Sequence, residues 1–267
     1  MQIVKTKSRY LLPLTGLAAL TGILGVGCGG SSNSSSLTRQ VTTYGPAVTV
    51  GNGTGRAYIT LQGNVPISTG VELTEAGTTN FAPPAPGQAA FEYSFPPPPQ
   101  LAATTPFLNV GIFASPGHPP ANQQDVPHIH PTWFIITPEE RAQIVSDSPL
   151  NSVPVAPEEI PANHMVFATQ GYFPSIGELS LDPILPGYRE TPMVTTAYEY
   201  RFFNGHMTLV ALDFANSFFP SKQEVVSPLE IPQKYPKPGY YPTTYHLHWD
   251  KNHKVFQMSV ENFVLRP

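Results

Sequence analysis

Proline occupies 32 of the 267 positions in this chain, and this abundance limits the folds open to it more than any other feature. A proline has a fixed φ and no backbone N–H, so it disrupts helix interiors and central strands. Hydrophobic residues still make up 40% of the chain, which is enough to bury a core. The sequence therefore predicts a mainly β fold (β-rich α+β): a single antiparallel sandwich or barrel-like domain with one or two short helices and long proline-rich loops.

The first 28 residues have the layout of an export signal. Three basic residues precede an uncharged stretch from Leu11 to Val26, which is shorter than the roughly 20 residues of a membrane-spanning helix. Cys28 is the only cysteine in the chain, and its position after this stretch resembles the lipidated cysteine of a bacterial lipoprotein. An ordinary secretory signal with an incidental thiol is the alternative.

We predict three parts along the chain. Residues 1–27 form a lipoprotein-type signal peptide, residues 28–52 carry the lipidated Cys28 and a Gly/Ser-rich tether, and residues 53–267 form a single β-rich domain. Several acyl chains on Cys28 would bind firmly to a membrane, because each buried CH₂ contributes about 0.8 kcal/mol. We therefore expect an exported protein, lipid-anchored in the cell envelope on the periplasmic side or the outer surface.

Net charge excludes one class of partner. Removal of residues 1–27 takes away three basic and no acidic residues, which leaves 11 basic against 18 acidic residues. Such an acidic chain lacks the basic surface that nucleic acid requires, so we expect no nucleic-acid partner. Association with the membrane is expected through the lipid anchor, and a homo-oligomer or an unidentified protein partner stays open.

Local patterns predict strands, hairpins and one helix. β-rich runs predict strands at residues 56–62, 70–74, 108–114 and 128–136. Asn204-Gly205 predicts a hairpin between residues 193–203 and 206–214, and residues 250–253 predict the loop of another between 245–249 and 254–264.

Proline-containing patterns predict the structure of the remaining segments. Thr137-Pro138-Glu139-Glu140 has the form of a capping box and predicts a helix over 138–145, and residues 157–160 favour a short turn. Residues 82–106 are expected to be loop or polyproline II. Pro131 favours an edge position or a bend for its strand.

Histidines are the residues that best suggest chemistry, since common catalytic motifs are absent. His128 and His130 are separated by one residue, and in a strand such residues point to the same face. His118 lies in a proline-bounded turn shortly before them and could supply a third ligand. Three histidines and a water form an open metal site, so we expect a divalent transition metal, zinc first and copper or iron as alternatives, at His118, His128 and His130.

The other candidates are weaker, and no catalytic residue is assigned. His246 and His248 alternate with apolar residues, so we interpret them as part of a solvated polar face. His164, His206 and His253 have the setting of strand-edge or turn residues. Asp125 and Glu178 are the carboxylates expected to be within reach of the predicted metal.

Residues 116–120 (PGHPP), 126–134 (VPHIHPTWF) and 137–141 (TPEER) carry a family resemblance. With looser agreement over residues 53–265, they resemble a family of exported bacterial proteins of uncharacterised function, which includes a Thermus protein under an envelope-stress sigma-factor system. The resemblance implies a glycine–histidine turn, a histidine–x–aspartate–x–histidine motif and a later glycine–x–histidine, which together look like a metal site. His118 and His128 match this pattern, whereas His130 stands at the aspartate position, Thr132 at the second histidine and about Leu179 at the last.

Three functions are therefore compatible with the sequence. The first is a lipid-anchored envelope protein that binds a transition metal through clustered histidines. The second is a metal-dependent enzyme, hydrolase-like or oxygenase-like, in which Glu178 or Asp125 acts as the base. The third is a metal-free structural or partner-binding module of the envelope.

Lipidation at Cys28 can be tested directly. We expect a radiolabelled fatty acid to enter the wild-type protein and the protein to sediment with membranes. The Cys28→Ser variant should carry no label, because the serine hydroxyl cannot replace the acylated thiol. Equal labelling of the two proteins would refute the anchor.

Overall fold

Sixteen strands in the described part of the chain form two seven-stranded antiparallel sheets and a separate two-stranded pair. The structure is a computed structural model that describes residues 39–86, 88–117, 126–167, 173–185 and 196–267. The predicted signal peptide, Cys28, His118 and Asp125 lie outside the described residues.

The first sheet contains β1 (Gln40–Tyr44), β2 (Val48–Val50), β3 (Gly53–Gln62), β4 (Val65–Thr74), β12 (Val225–Pro228), β14 (Thr244–Asp250) and β15 (Val255–Glu261). Its strand order is β1-β3-β4-β15-β14-β12, and β2 also pairs with β3. Strand β12 is therefore at one edge, beside β14.

The second sheet contains β5 (Phe91–Phe95), β6 (Asn109–Ser115), β7 (His128–Phe134), β8 (Met165–Phe167), β9 (Glu178–Leu181), β10 (Thr196–Phe203) and β11 (His206–Ala215). Its order is β5-β6-β7-β11-β10-β9-β8, so β7 and β11 are central. The two-stranded pair consists of β13 (Gly239–Tyr241) and β16 (Val264–Arg266).

Helices are short in the described residues. They are α1 (Gln100–Thr104), α2 (Pro138–Arg141) and α3 (Phe218–Ser221), with 3-10 turns at Glu75–Thr78, Pro149–Ser152 and Pro157–Glu159. The last of these turns lies where residues 157–160 were predicted to turn.

A layer of apolar side chains joins the inner faces of the two large sheets. Ile59 and Val71 from the first sheet lie in the same buried cluster as Ile112, Trp133 and Leu212 from the second. Burial of one such side chain contributes about 1.5–3 kcal/mol. Neither strand order closes on itself among the described strands. The predicted β-rich sandwich is confirmed, and the barrel-like alternative is not supported.

Two local predictions are confirmed by backbone geometry. Asn204 and Gly205 join β10 to β11 with φ values of 51° and 76°, the left-handed conformations that an Asn-Gly hairpin turn requires. Helix α2 begins with the predicted capping box, in which Thr137 and Glu140 each accept the other's backbone N–H. The α-helix ends at Arg141 rather than at residue 145, and tighter turns follow it.

Residues 82–106 are more ordered than predicted. Phe91–Phe95 contains no proline and forms edge strand β5, which pairs along its whole length with β6. Helix α1 starts directly after the four consecutive prolines, which lie outside its interior. The prediction of loop or polyproline II throughout this segment is therefore wrong.

The folded body also begins before Gly53, where the predicted tether ends. Strand β1 pairs with β3 over five residues, and β2 pairs with the start of β3. Part of residues 28–52 thus belongs to the first sheet, because β3 offers a free edge that these two strands cover.

Pro131 lies in a central strand, which corrects the prediction of an edge or bend. On one side β7 pairs with β6 without interruption. On the other side, its pairing with β11 is interrupted between Thr132–Ala211 and Ile129–Phe214. A proline has no N–H to donate, so the interruption at Pro131 is the local consequence of placing it inside a sheet.

His164 is buried in the core rather than placed at a strand edge. Its ring lies against Tyr198 and Tyr200, with centroid distances of 5.6 and 5.4 Å. Burial lowers the pKa of His164 from 6.5 to about 4, although Ser180 and Asp182 oppose this shift. The folded protein therefore holds this imidazole in its neutral form at neutral pH.

This burial predicts a loss of stability in acid. Between pH 6.5 and about 4 the unfolded chain binds a proton at His164 and the folded protein does not, so the free energy of unfolding falls as pH falls, by up to about 3 kcal/mol. Urea unfolding at several pH values should show this loss in the wild type. The His164→Gln variant, which cannot titrate, should lack that part of the pH dependence. Identical slopes in the two proteins would contradict the assignment.

Candidate functional site

Strand β7 separates apolar from polar side chains on its two faces. Ile129 and Trp133 point into the core, so His128 and His130 lie on the opposite, outer face. Their ring centroids are 4.7 Å apart. The prediction that these two histidines share a face is therefore confirmed.

The local contacts of His128 set the direction of its ring. The residue is fully buried, and its Nδ1 lies 2.7 Å from the carbonyl oxygen of Val126. A carbonyl can only accept, so Nδ1 carries the proton and Nε2 is the basic nitrogen of the neutral ring. Metal-ligating histidines are commonly oriented by this kind of hydrogen bond to an outer-shell oxygen.

His130 forms an ion pair with Asp213 through Nδ1. The pairs Ala211–Thr132 and Ala215–His128 place Asp213 opposite His130 across the interruption in the β7–β11 pairing. Asp213 is fully buried, whereas the His130 side chain is 12% exposed. The contact thus gives a buried carboxylate a partner beside the position where proline interrupts the sheet.

Two further charged residues lie on β10, the strand next to β11. Glu199 and Arg201 are both buried, and Arg201 Nε donates to Glu199 Oε1 at 2.7 Å. The Arg201 guanidinium also lies 5.0 Å from the centre of the Phe173 ring. Together with the His130–Asp213 pair, these residues form what we call the inner row: His130, Asp213, Glu199 and Arg201.

Protonation in the inner row follows from burial and pairing. Burial lowers the pKa of His130, but the charge and the hydrogen bond of Asp213 outweigh it, and the pKa is raised overall. Burial raises the pKa of Glu199, an effect that Arg201 opposes and Asp213 reinforces. With His130 protonated and both carboxylates ionised, the inner row has two positive and two negative charges.

Three members of the inner row have the geometry to share a cation. One donor atom from each of His130, Glu199 and Asp213 lies within 4.8 Å of the others. An imidazole nitrogen and two carboxylate oxygens suit zinc and related divalent ions. His128 lies beside this group without belonging to it, so the set differs from the predicted trio of His118, His128 and His130.

Glu178 does not lie near the inner row. It pairs across the sheet with Phe202, whose side chain is in the core, so Glu178 is on the opposite face from Glu199 and Arg201. Burial raises the pKa of Glu178. The expectation that Glu178 serves as a base for an ion at His130 is therefore wrong, and Asp125 lies outside the described residues.

The second histidine pair has acidic neighbours that were not predicted. His246 and His248 lie on the outer face of the first sheet, where Glu224 and Glu261 are within 4 Å of their ring nitrogens. Donor atoms of Glu224, His246 and His248 lie within 4.8 Å of one another. Both side chains are partly exposed, as the prediction of a solvated face requires. The carboxylates that pair with the two rings were not predicted.

The remaining described histidines have structural partners. His206 Nδ1 is 2.9 Å from Glu159, which also accepts from the backbone N–H of Met207. His253 is exposed and lies in the β14–β15 loop, where it contacts Asp250. His253 is a turn residue, as predicted, whereas His206 is the first residue of central strand β11, directly after the Asn204-Gly205 turn.

Sequence patterns alone did not reveal the carboxylates of either cluster. Asp213 and Glu199 each interrupt a strongly apolar strand, and a charge in such a run is a signal for a buried pair. The partner of Asp213 could not be assigned, because His130 comes from a different strand of the sheet. The partner of Glu199 is Arg201, two residues later on the same face of the same strand, so alternation could have indicated that pair. Glu224 immediately precedes an edge strand and has no local signal of this kind.

Comparison with known proteins adds no identification. No family model, curated protein or solved structure matches this chain. Among the described residues, no helix has the length and apolar character needed to cross a membrane. The function is therefore inferred from the chemistry of the sites.

Removal of one charge from the inner row should destabilise the fold. In Asp213→Asn, His130 loses its buried anionic partner, and loss of one member of a buried pair costs about 3–5 kcal/mol. The control is Glu158→Gln, which removes a partner of an exposed pair 4.0 Å from Lys234, and should cost less than about 1 kcal/mol. Urea unfolding at neutral pH measures both. Equal, small effects would show that the inner row contributes little to stability.

Proposed function

We propose that this is an exported, lipid-anchored protein of the cell envelope that binds a divalent transition-metal ion through His130, Asp213 and Glu199. The observation that carries the metal proposal is the convergence of these three donor groups, from three neighbouring strands, within 4.8 Å. The family resemblance and the export signal belong to the same proposal and supply its location.

The rigidity of the sheet supports this arrangement. His130, Asp213 and Glu199 come from β7, β11 and β10, which are consecutive in the second sheet. A site on paired strands has its donors held in place before the ion binds, which reduces the cost of ordering them. The adjacent His128, oriented by the Val126 carbonyl, offers an additional imidazole beside the group.

Proton release is the expected consequence of metal binding at this site. A metal ion binds the deprotonated forms of its ligands. Because the pKa of His130 is raised, a proton competes with the metal ion for its ring nitrogen. The neighbouring carboxylates stabilise either cation, the proton or the metal ion. Affinity should therefore increase with pH until His130 is neutral.

Zinc is the ion that we propose first, with copper and iron as alternatives. Imidazole and carboxylate donors are compatible with all three. The role we propose is metal-linked maintenance of the envelope, with the lipid anchor keeping the bound ion at the membrane surface. Because Glu178 faces the core, no base is assigned and no turnover is proposed.

Metal content is the direct test. The full chain is purified in detergent without a histidine tag, loaded with Zn²⁺, dialysed, and measured by elemental analysis at neutral pH. We expect the His130→Ala variant to hold about one equivalent less than the wild type, because it lacks the only imidazole of the group. Glu199→Gln should show the same deficit while keeping the size of the side chain.

The matched control is His206→Ala, which removes an exposed histidine outside the inner row and should retain the wild-type content. Circular dichroism of each variant confirms folding. Unchanged metal content in both His130→Ala and Glu199→Gln would overturn the proposal and favour the metal-free, partner-binding alternative.

A further inference from the structure

A second group of metal-ligand side chains lies on the outer face of the first sheet, away from the inner row. We call it the edge cluster and define it as Glu224, His246, His248 and Glu261. The two histidines are on β14, and Glu224 directly precedes edge strand β12, which pairs with β14. Glu261 is on β15, the other neighbour of β14. Pairing of three strands thus brings together four side chains from three separate parts of the chain.

Three side chains of the edge cluster lie close enough to share one ion, since one donor atom from each of Glu224, His246 and His248 lies within 4.8 Å of the others. His246 Nε2 is 3.2 Å from Glu224 Oε1, and His248 Nδ1 is 3.7 Å from Glu224 Oε2. Zinc bonds to nitrogen and oxygen of about 2.0–2.2 Å place two tetrahedral ligands about 3.4 Å apart. Both separations are close to this value, although they involve different oxygens of Glu224, and the shorter one is a hydrogen bond that a bound ion would replace.

Glu261 forms a hydrogen bond with Nδ1, the other ring nitrogen of His246. Its Oε1 lies 3.2 Å from His246 Nδ1 and accepts a 2.7 Å hydrogen bond from the Ser259 hydroxyl. A carboxylate that holds the outer nitrogen of a ligating histidine fixes the tautomer and directs the inner nitrogen at the metal. His246 therefore has a supporting partner on one side and a candidate metal position on the other.

His248 provides an independent indication. Its Nδ1 is shielded from solvent and makes no hydrogen bond to any described residue, since Glu224 at 3.7 Å is too far away. A buried polar atom without a hydrogen bond is costly. An ion between His248 and Glu224 would satisfy this nitrogen without a large movement of either side chain.

Charge also favours a cation here. With neutral histidines the edge cluster carries two negative charges, which one divalent ion would neutralise. The nearby Lys222 is engaged elsewhere, because its Nζ is 2.5 Å from Glu75 and 4.1 Å from the centre of the Trp249 ring. This differs from the inner row, where Arg201 already neutralises one carboxylate.

We propose that the edge cluster is a second divalent-metal site, in which Glu224, His246 and His248 ligate Zn²⁺ or Cu²⁺ and Glu261 positions His246. Two imidazoles and one carboxylate leave a fourth position open to solvent, since Glu224 is largely exposed. The site can therefore exchange its ion with the surroundings or accept a ligand from another molecule. It is independent of the inner row.

Zinc titration of the full-length His130→Ala protein tests this site separately from the proposed function. The protein is stripped with a chelator, purified without a histidine tag and titrated with ZnCl₂ by calorimetry. We expect about one equivalent to bind. Addition of His248→Ala or Glu224→Gln should weaken this Kd by at least about 100-fold, and Glu261→Gln should weaken it by about 10–100-fold. Because Glu224 is exposed, its substitution should leave the fold intact.

The control is His253→Ala, which removes an exposed histidine of the neighbouring loop and should leave the Kd unchanged. Cobalt offers a second readout, since four-coordinate Co²⁺ absorbs visible light strongly and this absorption should vanish in Glu224→Gln. No binding in a His130→Ala protein whose circular dichroism matches that of the wild type, or equal weakening by His253→Ala and His248→Ala, would overturn the proposal. Failure of the inner-row metal would leave these results unchanged.

Discussion

The structure depends on the apolar layer between the two large sheets, and strand β7 shows why. Trp133 and Ile129 are fully buried in this layer. Side chains alternate along a strand, so burial of these two residues forces His128 and His130 onto the outer face. A slip of one residue would place both histidines in the core and expose the tryptophan. The core thus determines the position of the inner row.

Burial makes the inner row and the edge cluster chemically different. In the inner row, buried Asp213 and Glu199 are compensated within the protein by His130 and Arg201. Such a network resists any change in charge, so an ion there must replace a proton. In the edge cluster the carboxylates are partly exposed, and their partners are two partly exposed histidines. That cluster is better suited to exchange an ion with solvent.

Local sequence signals identified several elements correctly because their causes are local. The capping box at Thr137 and the hairpin at Asn204 depend on the conformations of a few consecutive residues. By contrast, proline content misled the prediction for Phe91–Phe95, where the edge of the sheet was available for pairing. The prediction for Pro131 was wrong as well. The pairing of β7 with β11 is interrupted at this proline, which has no N–H to donate, and it continues on both sides, so the strand can be central. Both errors concern the position of a strand in its sheet, which no short pattern encodes.

The sequence by itself determined the β-rich class, the main turns and the common face of His128 and His130, because these follow from backbone stereochemistry and alternation. It did not determine the carboxylate partners of His130 or His248. Asp213 reaches His130, and Glu224 reaches His248, only through pairing between strands that are distant in the chain. That pairing is selected by burial of whole sheet faces, so the tertiary structure alone decided that these charges meet. The physical reason is that strand order and register depend on the entire core, whereas the pattern along one strand shows only which face a residue occupies.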